Sequence, residues 1–199
     1  THLTPGVEHG NRLDTVGRGA LDVFVQLAAL VANGVEMENA DGRVYRFIQR
    51  NKVSAGEEAE LISPGKIGKG FLLLVGVEKG DTTVEADAVA EKISKMRIFE
   101  DENGKMNLAL NDVGGSILSV SQFTLCADCR RGNRPDYLNA APPAEANELY
   151  EYFNEYLKNK GFIVEKGIFG ADMKVSLVND GPVTIILDSN DLKKSRNEK

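Results

Sequence analysis

Phe71-Leu72-Leu73-Leu74-Val75-Gly76-Val77 is a continuous apolar run bounded by Gly70 and Gly80. Successive residues of a strand face opposite sides of a sheet. A run with no polar position keeps both faces out of water, so the segment reads as a buried strand. The rest of the chain has to cover it. Its 199 residues suffice for one domain with a real core. A hydrophobic fraction of 42% and a mean hydropathy of −0.26 are those of a soluble globular chain. No apolar stretch approaches the ~20 residues that a membrane-spanning helix needs.

Two helices are expected. Asp81 and Thr82 can cap the first, whose apolar positions Ala86, Val89, Ala90, Ile93 and Met96 recur at three and four. Pro142-Pro143 opens the second, with Ala146, Leu149, Tyr150, Phe153, Tyr156 and Leu157 on one face and Gly161 as its stop. Further strands are predicted over Val44–Arg50, Met106–Leu110, Ile117–Leu125, Gly161–Phe169, Met173–Val178 and Val183–Leu187. Asp101-Glu102-Asn103-Gly104 reads as a turn. Lys66-Ile67-Gly68-Lys69-Gly70 lacks the Lys-Ser/Thr ending of a phosphate loop and also reads as a turn. Strands outnumber helices in a mixed order, so the fold class is α+β.

The ends look different from the middle. Residues 1–43 are Gly-rich and polar with one apolar patch, Ala20 to Ala32, and are expected to be a poorly ordered extension, added sequence or an upstream reading frame. Asp14 and Asp22 argue against a signal or transit peptide there, and Met37 is a candidate start. Residues 190–199 form a charged tail, expected to be mobile.

Composition narrows the chemistry. A net charge of −6 means that the surface as a whole does not advertise nucleic-acid binding. Any RNA contact has to come from a local basic patch, and Arg130, Arg131 and Arg134 form the clearest one. The only histidines are His2 and His9, so a Ser-His-Asp or Cys-His hydrolase has no base in the body of the domain. Cys126 and Cys129 make a C-x-x-C with no second cysteine pair or nearby histidine to complete a zinc site. The loop-like Arg130 to Pro135 that follows is not the helix of a thioredoxin-type pair, so reduced thiols are expected.

Two segments break their β-prone surroundings with small, polar or backbone-special residues: Ser121-Gln122-Phe123-Thr124-Leu125 and Asn179-Asp180-Gly181-Pro182-Val183-Thr184. Such local inconsistency points to a site. On a strand, Ser121 and Phe123 would share one side and Gln122 and Thr124 the other. The same pattern also fits an ordinary half-buried strand, and Asn-Asp-Gly also fits a hairpin turn. Both segments resemble those of the D-aminoacyl-tRNA deacylases. So do Gly76-Val77-Glu78-Lys79-Gly80-Asp81, Arg97-Ile98-Phe99-Glu100-Asp101, Lys105-Met106-Asn107, Gly132-Asn133-Arg134-Pro135 and Phe169-Gly170-Ala171-Asp172-Met173. The resemblance runs in order from about Val44 to Ser189 and weakens over Asn51 to Lys66, where the first hairpin is expected to be short or irregular.

The resemblance implies a homodimeric α+β hydrolase with a barrel-like core of strand-rich sheets, two main helices, a cytoplasmic location and no metal or organic cofactor. Its substrate would be a D-amino acid esterified to tRNA, and glycine mischarged on the alanine tRNA. Catalytic roles fall to Ser121, Gln122, Phe123 and Thr124, substrate contacts to Phe169 and Met173, and tRNA phosphates to Arg130, Arg131 and Arg134. The resemblance further implies a Gly181-cis-Pro182 dipeptide that enters the partner subunit's site. There its carbonyls would hold the α-ammonium group, and the bare main chain would reject the L side chain by clash.

Two mechanisms stay open. In the favoured one, the neighbouring ribose 2′-OH or a positioned water attacks, while amides around Phe123 stabilise the oxyanion. In the other, Thr124 is the nucleophile, which needs a base that this chain does not obviously offer. The alternatives are another esterase on the same scaffold, a non-catalytic tRNA-binding module, and a thiol-redox protein.

Overall fold

The computed structural model describes residues 65–194 in full and the backbone alone of 24–30 and 35–38. In chain order the elements are β1 (Phe24–Leu30), β2 (Val35–Glu38), β3 (Lys66–Ile67), β4 (Gly70–Val75), α1 (Thr83–Ser94), β5 (Arg97–Glu100) and β6 (Met106–Ala109). They continue with β7 (Ser116–Ser121), a 3₁₀ turn (Phe123–Cys126), α2 (Pro143–Asn159), β8 (Val164–Lys166), β9 (Lys174–Ser176), β10 (Ile185–Asp188) and α3 (Ser189–Lys193). One sheet has the order β10-β1-β4-β7-β8, a second β3-β2-β9, and β5-β6 form a separate pair.

The apolar run explains this layering. Strand β4 sits in the middle of the larger sheet, antiparallel to β1 and parallel to β7. Phe71, Leu73 and Val75 join Ile117 of β7 in packing against Ala86, Val89, Ala90 and Ile93 of α1 and Tyr150, Phe153 and Leu157 of α2. From the other face of the larger sheet, Leu72 and Leu74 of β4 and Leu118 and Val120 of β7 pack with Ile67 and Val175 of the smaller sheet and with Met173. Helices cover one side and the second sheet the other. Gly70 is set by the β4–β7 contact: a Cβ there would lie 1.8 Å from the Ser116 carbonyl oxygen.

The helix signals hold. Thr82 caps α1 in a capping box, its hydroxyl accepting from the Val84 amide while Glu85 takes both the amide and the hydroxyl proton of Thr82. Pro143 stands in the first turn of α2, and Gly161 follows its end with φ of 92°.

Several expectations need correction. The sheets stack, and among the described residues they form no closed barrel, because β10 and β8 are the outer strands of the larger one. Lys66–Ile67 is a short strand rather than part of a turn. The charged tail is ordered as far as α3: Asp188 caps it through the Asn190 amide at 2.8 Å, and Lys193 pairs with Glu85 at 2.7 Å. The predicted strand Val44–Arg50 and the irregular hairpin up to Pro64 lie outside the described residues. Within 1–43, set apart above as an extension, β1 and β2 are strands, and β1 pairs with β4 from Val25↔Val75 to Leu30↔Gly70.

Candidate active site

Strand β7 ends one residue into the Ser-Gln-Phe-Thr-Leu segment. The Gln122 amide still donates to the Val75 carbonyl at 2.7 Å, and then the chain turns. Leu125 donates back to the Gln122 carbonyl at 3.1 Å, closing a 3₁₀ turn over Phe123–Cys126. The expected alternation along one strand is therefore replaced by a strand end and a turn. Ser121 and Gln122 are half-buried, whereas Phe123 is 55% exposed and meets Tyr137 edge to face at 5.0 Å. The Gln122 side-chain amide donates to the Thr124 hydroxyl at 2.5 Å. Amides at the opening of such a turn have no partner within it, and those of Phe123 and Thr124 have none among the described residues.

A cavity of about 470 Å³ opens beside this turn. Ser121, Gln122 and Phe123 form one wall and Phe169, Gly170, Ala171, Asp172 and Met173 another. Small residues before and within the first turn of α2 (Ala140, Ala141 and Ala146) shape a third side. Among the described residues, Asp172 is the one ionisable residue in the lining.

The first two walls are tied together underneath. Tyr150, 1% exposed, donates its hydroxyl to the Ser119 carbonyl at 2.8 Å, and the Gly167 amide reaches the same oxygen at 2.8 Å. The Phe169 ring lies 6.2 Å from that of Tyr150. A Cβ on Gly167 would come within 2.8 Å of the Met173 sulfur, so glycine lets this methionine lie against the backbone.

Other predicted residues lie elsewhere. Thr124 is exposed on the turn and outside the cavity lining. Gly181 and Pro182 are joined by a cis peptide bond, are exposed, and do not line this cavity. Asn179 braces them, accepting from the Val183 amide and donating to the Thr184 hydroxyl, both at 3.1 Å. The arginines project from a loop whose feet are joined by Asp128–Asp136 backbone hydrogen bonds of 2.8 and 3.1 Å. Arg130 is engaged by the Asp128 carboxylate, which raises the pKa of its guanidinium, while Arg131 and Arg134 are exposed.

Cys126 is buried, its Sγ 3.6 Å from the Val77 carbonyl oxygen. Burial first, then the charges of Glu78 and Asp81, push its thiol up to about 12, so at neutral pH it supplies no thiolate. Cys129 is exposed and free. Among the described residues no three His, Cys, Asp or Glu side chains gather as a metal site would require.

The wall of α2 and the Tyr150–Ser119–Gly167 tie were missed by sequence reading. Pro142-Pro143 marked where the helix starts, but alanines carry no signal that they line a cavity. Asp172 lay inside a recognised motif without being singled out.

Residues 47–188 match the family model described as D-Tyr-tRNA(Tyr) deacylase. The D-aminoacyl-tRNA deacylase of Lactobacillus gasseri is 58% identical over 142 residues, covering 71% of this chain and 97% of that protein. That of Dictyoglomus turgidum is 54% identical over 153 residues, 76% of this chain and 97% of its own length. Among solved structures, a c-Myc DNA unwinding element binding protein superposes with a TM-score of 0.65 at 32% identity, over 84% of this chain and 97% of its own. A probable eukaryotic D-amino acid tRNA deacylase does so at 0.61 and 14% identity, over 84% of this chain and all of its own, a likeness of fold alone. No helix among the described residues is long and apolar enough to cross a membrane. The matched span contains the strand end, the turn and the cavity just described, and the chain belongs to the D-Tyr-tRNA(Tyr) deacylase family.

Proposed function

We propose that this protein hydrolyses the ester between a D-amino acid and the terminal ribose of tRNA, releasing the free amino acid and tRNA. The observation that carries this reading, beside the family match, is the convergence of Ser121, Gln122 and Phe123 with Phe169 and Met173 on one cavity. Water attacks the ester carbonyl beside the ribose 2′-OH, the ribose oxygen leaves with a proton, and the Phe123 amide, on the cavity wall, receives the developing oxyanion. Orientation does most of the remaining work, since an aminoacyl ester is already activated. Ser121 and Gln122 position the terminal adenosine or the reacting water.

Thr124 is poorly suited to attack. Its hydroxyl contacts the Gln122 amide, which is no base in either orientation, and among the described residues the cavity lining holds no histidine. Thr124→Val is expected to keep turnover within about threefold. A loss of a hundredfold or more with the fold intact would restore the acyl-enzyme route.

The working unit is a homodimer. Gly181 and Pro182 are exposed and lie outside the cavity of their own protomer, which suits residues that complete a partner's site. Their main chain receives the ammonium group and excludes L side chains, so glycine on the alanine tRNA is also accepted. Arg130, Arg131 and Arg134 contact tRNA phosphates, and the protein works in the cytoplasm. The reading is tested with purified protein and D-tyrosyl-tRNA, glycyl-tRNA of the alanine type and simple amino-acid esters. Release of amino acid from the first two is expected. Cleavage of simple esters alone would favour another esterase, and binding without any release a non-catalytic module.

A further inference from the structure

Phe123 and Tyr137 form an aromatic step on the rim of the cavity. Both rings stay accessible, at 55% and 38%, and they meet edge to face with centroids 5.0 Å apart. Phe123 also lines the cavity. Tyr137 directly follows Asp136, whose paired hydrogen bonds with Asp128 close the foot of the arginine loop. Arg131 stands three residues beyond Asp128 and Arg134 two before Asp136, so both cations lie within roughly 10 Å of chain from that foot. Asp128 occupies Arg130, whereas Arg131 and Arg134 are exposed. Cavity, aromatic pair and cations thus follow one another outward.

Exposed aromatic rings interleaved with cations are the pattern of a single-strand binding surface, where bases stack on the rings and the cations track the phosphates. A tRNA ends in unpaired nucleotides, and its aminoacyl group has to sit in the cavity. We infer that Tyr137, backed by Phe123, is the stacking platform for an unpaired base just upstream of the terminal adenosine, with Arg131 and Arg134 on the adjoining phosphates. The inference rests on the deacylase reading and adds a subsite to it. A protein partner is the less suited occupant, since the overall charge of −6 already leaves a local pair of exposed arginines as the complement to a polyanion.

The test compares D-tyrosyl-tRNA with the D-tyrosyl ester of adenosine, which lacks every upstream nucleotide. In Tyr137→Leu the KM for the tRNA substrate is expected to rise about tenfold more than that for the minimal ester, with kcat for the tRNA little changed. Tyr137→Phe keeps a ring and should behave as the native chain does. Equal changes on both substrates, or none on either, would overturn the platform. So would a shift in sedimentation of Tyr137→Leu from the native species, since the face would then be covered by a second copy. Should the native protein cleave neither substrate, the deacylase reading itself fails and takes this subsite with it.

Discussion

Tyr150→Phe isolates the tie beneath the cavity. The substitution removes one hydroxyl and leaves a ring of the same shape, so no cavity of consequence opens in a site 1% exposed. The Ser119 carbonyl loses its 2.8 Å bond from the tyrosine and keeps that from the Gly167 amide. It is therefore not orphaned, and the cost is the net worth of one buried hydrogen bond, about 1 kcal/mol. For a chain of this length that lowers Tm by about 2–4 °C. The catalytic consequence is separate. Ser119 lies two residues before Ser121, and Gly167 two before Phe169, so the shared carbonyl holds one cavity wall against the other. Loosening it should lower kcat/KM about threefold to tenfold at a temperature far below Tm, since in the proposed mechanism orientation is what the protein contributes. Gly167→Ala attacks the same tie from the other side: its Cβ, 2.8 Å from the Met173 sulfur, pushes that side chain toward the cavity and should raise KM. Thermal melts and steady-state kinetics on D-tyrosyl-tRNA measure both effects. A Tm that falls as expected with kcat/KM unchanged in both variants would refute the positioning argument.

Two further outcomes concern stability. Burial pushes the Glu85 carboxyl up, but hydrogen bonds from Lys193 and Thr82 outweigh it and hold the group at about 2, below its ordinary 4.5. Its contribution is thus fully present above about pH 4.5 and is lost as pH falls through about 2. Lys193 is 45% exposed, so screening reduces the linkage to about 1–2 kcal/mol. In urea titrations Glu85→Gln should be less stable by that amount at pH 7, and the gap should shrink by about half near pH 3. A gap that does not change with pH would contradict it. Gly70→Ala drives a Cβ to 1.8 Å from the Ser116 oxygen in the β4–β7 ladder, where backbone has no room to yield. A loss above about 3 kcal/mol or an insoluble product is expected, and a soluble variant of native Tm would show that the strands can part.

The layering was legible because Phe71 to Val77 has no polar position, and the two faces of β4 do bury against different layers. Thr82 and Pro143 announced their helices because caps are local chemistry. The 3₁₀ turn was not legible. Phe123, Thr124 and Leu125 favour strand by propensity, but the ladder with β4 stops at Val75 and Gly76, whose missing side chain leaves room for Leu125 and Cys126, 3.1 and 3.3 Å from where its Cβ would be. Helix α3 was hidden for a related reason. Leu192 is its one apolar residue, too little for a stripe that marks a helix, and in the fold that side chain packs against the core while Lys193 pairs with Glu85. As for the site, the motif residues on the two walls were readable, whereas Tyr150 looked like plain core and the alanines of the α2 side like filler.

The most direct test of the central claim is kcat/KM for D-tyrosyl-tRNA against L-tyrosyl-tRNA with the native protein under identical conditions. Rejection by a main-chain clash predicts cleavage of the D ester at least about a hundredfold faster, a difference of roughly 2.7 kcal/mol in the transition state. Equal rates on the two mirror-image esters, or a preference for the L form, would contradict the account.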